Sequence, residues 1–330
     1  MLRVGVVGVG TMGRTHAAAY TRLPNAQLVG FYDMATEAAQ RTASQFGVKA
    51  FDSYGALLQE VDIVDICTPT PTHLELVVKA AEAGKHILCE KPLGRTLQQC
   101  EQMIEAASKA GVTLMPAQVL RFFPEFKQAR DLVLAGAVGT PVAIRTRRGG
   151  PYPRAANDWY ADFEQSGGPI LDMVIHDFDW LRWTFGEVER VFAKALTFKG
   201  LDHIDYALIT LRLRSGAIAH VEANWADPGG FKVDFEIAGD AGMIAFDSRY
   251  ATPLTVAKQD AGGGGGGVAV PESPLAEDPY FLEIQHFVDS VAAGQPPSIT
   301  AEDGMKAVEI ALAAIESVQT GKVVRLGGGA

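Results

Sequence analysis

Gly8-Val9-Gly10-Thr11-Met12-Gly13 stands between an apolar run, Leu2–Gly8, and a stretch with helical period, Met12–Arg22. A glycine-rich turn placed there joins a buried strand to a helix that packs back on it, so the chain must begin as a βαβ unit. Gly8 permits the tight turn, Gly10 lets backbone approach a bound group, and Gly13 lets helix and strand pack closely. Amides at Thr11 and Met12 open the helix, where free N–H groups and the positive dipole end suit a pyrophosphate.

The alternation continues to about residue 120. Strand-like runs at Gln27–Asp33, Asp62–Thr68, His86–Glu90 and Val112–Gln118 are separated by helical stretches at Ala35–Phe46, Thr72–Ala83 and Leu97–Ala110. Nearly continuous apolar strands between helices imply a parallel sheet covered on both faces. Gly84 and Gly111 follow two of the helices, where a left-handed C-cap favours glycine. The expectation is an α/β chain whose residues 1–120 form a doubly wound Rossmann domain. Asp33 ends the second strand twenty residues after Gly13. A carboxylate there accepts hydrogen bonds from adenosine ribose hydroxyls and repels a 2′-phosphate, which favours NAD over NADP.

Residues 121–330 read differently. Helices are expected at Pro124–Ala135, Asp172–Phe185, Pro279–Ala293 and Ala301–Thr320, and strands at Val188–Lys199, Ile204–Arg214, Ala217–Trp225, Lys232–Ala238 and Met243–Asp247. Leu208, Thr210 and Arg212 interleave with Ile209, Leu211 and Leu213, the period-2 pattern of a half-solvated antiparallel strand. This predicts a C-terminal α+β domain with a large open, mostly antiparallel sheet. Its uncovered face suggests a homodimer or homotetramer. The six glycines at 262–267 read as a surface loop.

Twenty-nine basic against thirty-nine acidic residues give a formal charge of −10. With no Lys/Arg run, a nucleic-acid partner is not expected. No apolar stretch approaches the ~20 residues that cross a bilayer, so no membrane partner is expected either. Leu2–Val9 reads as a buried strand rather than a signal segment. Cys67, Cys89 and Cys100 read as reduced thiols, which points to the cytoplasm.

Three segments carry candidate chemistry. Thr68-Pro69-Thr70-Pro71-Thr72-His73 and Glu90-Lys91-Pro92 both follow strands, on the carboxyl edge where doubly wound sheets bind ligands. Lys91, after the apolar Ile87-Leu88, is placed for proton handling. Asp172 and His176, four apart, would share one helix face, the carboxylate orienting an imidazole base. That spacing also suits a metal, but no nearby Cys/His set completes a site and none is expected.

This ordered set of motifs resembles the Gfo/Idh/MocA oxidoreductases over essentially the whole chain. Leu171-Asp172-Met173-Val174-Ile175-His176-Asp177-Phe178-Asp179 is most similar to the inositol dehydrogenase branch. The resemblance implies hydride transfer between NAD(P) and a secondary alcohol of a sugar or cyclitol. It implies Lys91, Asp172 and His176 as the catalytic set. Gly8, Gly10, Thr11, Met12, Asp33, Thr68, Pro69, His73, Glu90 and Lys91 would hold the cofactor. It also turns Arg121, Asn157, Trp159 and Tyr280 toward the substrate. Two alternatives remain open: a non-catalytic dinucleotide- or sugar-binding regulator, and a reductase of another carbonyl or imine.

Overall fold

The computed structural model describes residues 1–197, 205–250 and 278–327. It divides into two compact units, Met1–Phe122 with Asp278–Val308, and Phe123–Glu277 with Glu309–Ala330.

The first unit runs β1 (Leu2–Val7), α1 (Thr11–Tyr20), β2 (Ala26–Tyr32), α2 (Thr36–Phe46), β3 (Lys49–Ala50), α3 (Tyr54–Glu60), β4 (Ile63–Ile66), α4 (His73–Glu82), β5 (His86–Glu90), α5 (Leu97–Ala110) and β6 (Leu114–Ala117). Its six strands are all parallel, in the order β3-β2-β1-β4-β5-β6. That is the doubly wound order, with the reversal between β1 and β4 beside the glycine turn. All four residues of β4 are buried, as a strand covered on both faces requires. α5 begins with a capping box, in which Thr96 accepts from the Gln99 amide and the Gln99 side chain accepts from the Thr96 amide. It ends at Gly111 with φ +67°. The sequence did not reveal β3 and α3, because two ladder residues and a seven-residue helix carry too little periodicity to stand out.

The second unit contains α6 (Pro124–Leu134), β7 (Pro141–Gly149), α7 (Phe163–Ser166), α8 (Gly168–Leu171), α9 (Ile175–Phe185), β8 (Val188–Leu196), β9 (Tyr206–Leu213), β10 (Ile218–Asn224), β11 (Lys232–Gly239) and β12 (Met243–Asp247). Helix α10 (Pro279–Ala293) belongs to the first unit. Helix α11 (Ala301–Thr320) begins in the first unit and ends in the second, and β13 (Val324–Arg325) closes the chain. The seven-stranded sheet has the order β12-β11-β7-β10-β9-β8-β13 and is antiparallel except where β10 runs parallel to β7. Ala207, Ile209, Leu211 and Leu213 bury one face of β9, as the alternation predicts.

Three expectations need correction. The sequence reading passed over β7 because it begins with proline and carries three arginines. Arg145 and Arg147 project from one face to Glu236, Glu222 and Asp227, while Arg148 turns inward. The division at residue 120 also fails for Asp278–Val308. Ile284, Phe287, Val288 and Ile299 are fully buried in one apolar cluster with Val4, Ala17 and Phe31 of the first unit. Lastly, Asp172–Phe185 is not one helix. The Pro169 carbonyl accepts from both Met173 N (3.2 Å) and Val174 N (3.0 Å), which interrupts the regular ladder between α8 and α9. The 262–267 glycine segment lies outside the described residues.

Candidate active site

Gly8 follows β1 at φ +92°, a conformation open to glycine but strained for L side chains. A Cβ there would lie 2.7 Å from the Cys67 carbonyl oxygen, and one at Gly13 would lie 1.9 Å from the Gly8 carbonyl oxygen. Both glycines are therefore demanded by close backbone packing. A Cβ at Gly10 would meet nothing within 4 Å, so the space in front of this turn is open. Gly10 is the N-cap of α1 and offers no capping side chain, which leaves the first-turn amides pointing at that space. Open approach, amides and dipole together fit a dinucleotide pyrophosphate.

Asp33 fixes the turn from the side. Its Oδ2 accepts from Val9 N at 2.9 Å and its Oδ1 from Ala35 N at 2.8 Å. Each carboxylate oxygen keeps a further lone pair, as a ribose diol would need.

The Thr68–His73 loop is braced internally. Thr68 and Thr72 hydroxyls lie 2.7 Å apart, and Thr72 Oγ1 donates to the Pro69 carbonyl at 2.8 Å. His73 is fully buried, and both its ring nitrogens face backbone carbonyls. Nε2 is 2.9 Å from the Thr68 carbonyl, and Nδ1 is 3.0 and 3.2 Å from the Pro92 and Leu93 carbonyls. Burial holds its imidazole below the ordinary range, against carbonyls that favour the proton. His73 ties the loop after β4 to the turn after β5, so the structure gives it a bracing place between the two loops.

Lys91 follows β5 in that turn and is half-buried, with a cis peptide to Pro92. Its backbone N–H donates to Glu90 Oε2 at 2.9 Å. Glu90 is 7% exposed. Burial works to raise its carboxyl, but His16 and Lys91 overcome that and hold it below the usual carboxylate range.

His16 was not foreseen from the sequence. It lies on the inner face of α1 with no exposure, Nδ1 2.9 Å from Asp65 Oδ2 and Nε2 3.3 Å from Glu90 Oε1. Cys67 Sγ completes the cluster, 3.3 Å from Asp65 Oδ1 and 3.4 Å from His16 Nδ1. The signal was present: His16 falls three residues after Gly13, polar within the otherwise apolar stripe of Ala17, Ala19 and Tyr20.

In the second unit, Asp172 is 8% exposed at the C-cap of α8, and His176 is half-buried as the second residue of α9. They occupy consecutive helical pieces. Asp177, beside His176, has no exposure and accepts from Arg148 Nε at 2.7 Å. This buried pair ties the first turn of α9 to the end of β7. Asn157 and Trp159 lie in a short 3-10 segment, Ala156–Ala161. Trp159 stacks on Tyr160 at 4.2 Å between centroids, and Tyr160 in turn meets the Trp225 edge at 5.8 Å.

Two expected substrate residues fall in the first unit instead. Arg121, 6% exposed, sits 3.2 Å from Asp303 Oδ2 and donates to the Ser298 carbonyl at 3.4 Å. Tyr280 opens α10, its amide accepted by the Asp278 cap at 3.0 Å and its ring 6.4 Å from that of His16.

The doubly wound sheet, the open glycine turn and the Asp33 position define an NAD-binding oxidoreductase. Residues 2–118 match an oxidoreductase family with the NAD-binding Rossmann fold, and residues 126–245 match the GFO/IDH/MocA C-terminal domain. The chain belongs to the GFO/IDH/MocA oxidoreductase family. It is 32% identical to the myo-inositol 2-dehydrogenase of Thermotoga maritima, over 98% of each chain. Among solved structures it resembles scyllo-inositol dehydrogenase from Lactobacillus casei with bound NAD(H) and scyllo-inositol (26% identity, TM-score 0.85, 99% of this chain and 100% of that one). It also resembles GenD2 from gentamicin A biosynthesis in complex with NAD (26% identity, TM-score 0.90, 99% and 97%).

Proposed function

We propose that this oxidoreductase oxidises one secondary alcohol of a cyclitol, in the manner of an inositol 2-dehydrogenase. The observation that supports this most is the position of Lys91. It follows β5 on the same sheet edge as the glycine turn, in a chain related to an inositol dehydrogenase along nearly its full length.

Gly8, Gly10, Thr11 and Met12 would hold the pyrophosphate and Asp33 the ribose. Thr68, Pro69 and the Glu90-Lys91 turn would border the nicotinamide end, with His73 bracing them. Bound NAD supplies the hydride acceptor. His176 takes the hydroxyl proton as the carbinol C–H bond breaks, leaving a ketone. The Lys91 ammonium stabilises negative charge that builds on a substrate oxygen. Asp172, one break earlier in the chain, orients His176. Asn157 and Trp159 are candidates for ring-hydroxyl recognition, Trp159 through its face. Arg121 and Tyr280 are held within the first unit, by Asp303 and beside His16.

Purified protein offered myo-inositol, scyllo-inositol and a set of aldoses should form NADH with a cyclitol. NADP should support it about tenfold less well or worse, because Asp33 repels a 2′-phosphate. Cofactor reduction with no polyol, or with aldoses alone, would overturn the cyclitol reading.

The partner surface is proposed to be a second copy of this chain. On the open face of the large sheet, Leu208 is 51% exposed, Leu196 57% and Ile218 38%. Apolar side chains spread over one sheet face mark an association surface. Leu208→Arg is expected to lower the mass in light scattering to that of a smaller assembly or monomer, and an unchanged mass would reject this surface. Among the described residues no helix is long and apolar enough to cross a membrane, and the three cysteines are free thiols, which supports a reducing cytoplasmic setting.

A further inference from the structure

We propose that His16 is a positioning residue for Lys91. Held between Asp65 and Glu90, its imidazole fixes the lysine turn to the helix that opens at the glycine turn. This rests on the reading of Lys91 given above.

Three elements meet at this imidazole. α1, which carries it, begins at Gly10. Asp65 comes from β4, the strand on the other side of the topological reversal. Glu90 comes from the last position of β5. His16 Nδ1 faces one carboxylate and Nε2 the other, at 2.9 and 3.3 Å, with no exposure. Glu90 then spends its second oxygen on the Lys91 amide at 2.9 Å. An unbroken line of contacts therefore runs from the proposed phosphate helix to the backbone of the proposed catalytic lysine.

The charges make this line stiff. Two carboxylates buried together need a cation or they are costly. Burial opposes a charge on His16, and burial and Asp65 push the neighbouring Cys67 thiol up. Against that burial, the Cys67 and Asp65 side chains together hold the imidazole's proton well above the ordinary range. Nδ1 lies within hydrogen-bond reach of Asp65, and Nε2 meets Glu90 as a 3.3 Å ion-pair contact. Other titratable groups near the cluster are Tyr20 on α1, Cys89 on β5 and Glu283 on α10. None of these replaces the His16 bridge to Glu90.

Two amide variants separate the halves of the bridge. Asparagine places a donor near the Nδ1 position and glutamine near the Nε2 position. His16→Asn should keep the Asp65 contact and lose Glu90. His16→Gln should do the reverse. The expected result is a fall in kcat for His16→Asn on the order of tenfold to a hundredfold, the range that slight misplacement of a reacting group produces. The KM for NAD should change far less. His16→Gln should recover most of that loss, measured as NADH formation from myo-inositol. Equal kcat in both variants, or KM for NAD moving as much as kcat, would overturn the proposal. Should His16→Asn not fold, Glu90→Gln reads the same contact from its other side and must reproduce the kcat-specific loss. Lys91→Ala tells the two ideas apart. If it retains turnover, the lysine reading fails. If it abolishes turnover while His16→Asn does not, only the His16 proposal fails.

Discussion

Lys91→Ala is expected to lower kcat by about a hundredfold to ten-thousandfold, the usual contribution of a positioned proton-handling group. NAD affinity, measured by fluorescence titration, should stay nearly unchanged. The reasoning is local. The backbone carries several ties of this turn: the Lys91 amide on Glu90 and the Pro92 and Leu93 carbonyls on His73. Alanine keeps all of them. The half-buried ammonium is the part removed, and its proposed task arises only as charge develops on the substrate oxygen. A loss confined to kcat marks an interaction made in the transition state, whereas a rise in KM alone would mark uniform binding. Lys91→Arg should recover little, because a planar guanidinium cannot occupy the place of a compact ammonium. Turnover within about threefold of the parent in Lys91→Ala would remove the lysine from the mechanism.

How much of this could be read from residues depended on how local the signal was. The glycine turn, Asp33 and the strand ends carrying Thr68 and Lys91 follow from short spacing rules, because βαβ geometry fixes which strand ends share an edge. The same locality explains the failures. α10 looked like part of the second domain by chain order, and only burial of Ile284 and Phe287 against α1 and β1 returns it to the first. The i,i+4 reasoning for Asp172 and His176 assumed an unbroken helix, and Pro169 breaks it through a shared carbonyl. His16 and Asp65 are forty-nine residues apart, as are no two partners a periodicity can link. Arg148 was hidden for another reason. It alternates with Arg145 and Arg147, so it reads as one more solvated charge on a strand too polar to notice.

That hidden arginine carries the largest expected effect on stability. Arg148 and Asp177 are 6% and 0% exposed, with Nε 2.7 Å from Oδ2. Removing one partner strands the other charge in the interior. Arg148→Ala should therefore destabilise the protein by about 3–5 kcal/mol, seen as a lower midpoint in urea denaturation. Much of that cost belongs to the unpaired Asp177 and not to the lost attraction. Arg148→Met combined with Asp177→Leu removes both charges while roughly keeping volume, and buried pairs replaced in this way are often neutral or stabilising. The double variant should thus recover most of the lost stability. Its turnover is the informative quantity. The pair joins β7 to the first turn of α9, and His176 is the neighbour of Asp177 in that turn. If the ion pair serves to aim His176, the double variant will be stable and still slow, with kcat reduced and NAD affinity intact. If it is as active as the parent, the pair only holds the fold. A single Arg148→Ala variant as stable as the parent would show that Asp177 finds another partner, and the burial argument would fall with it.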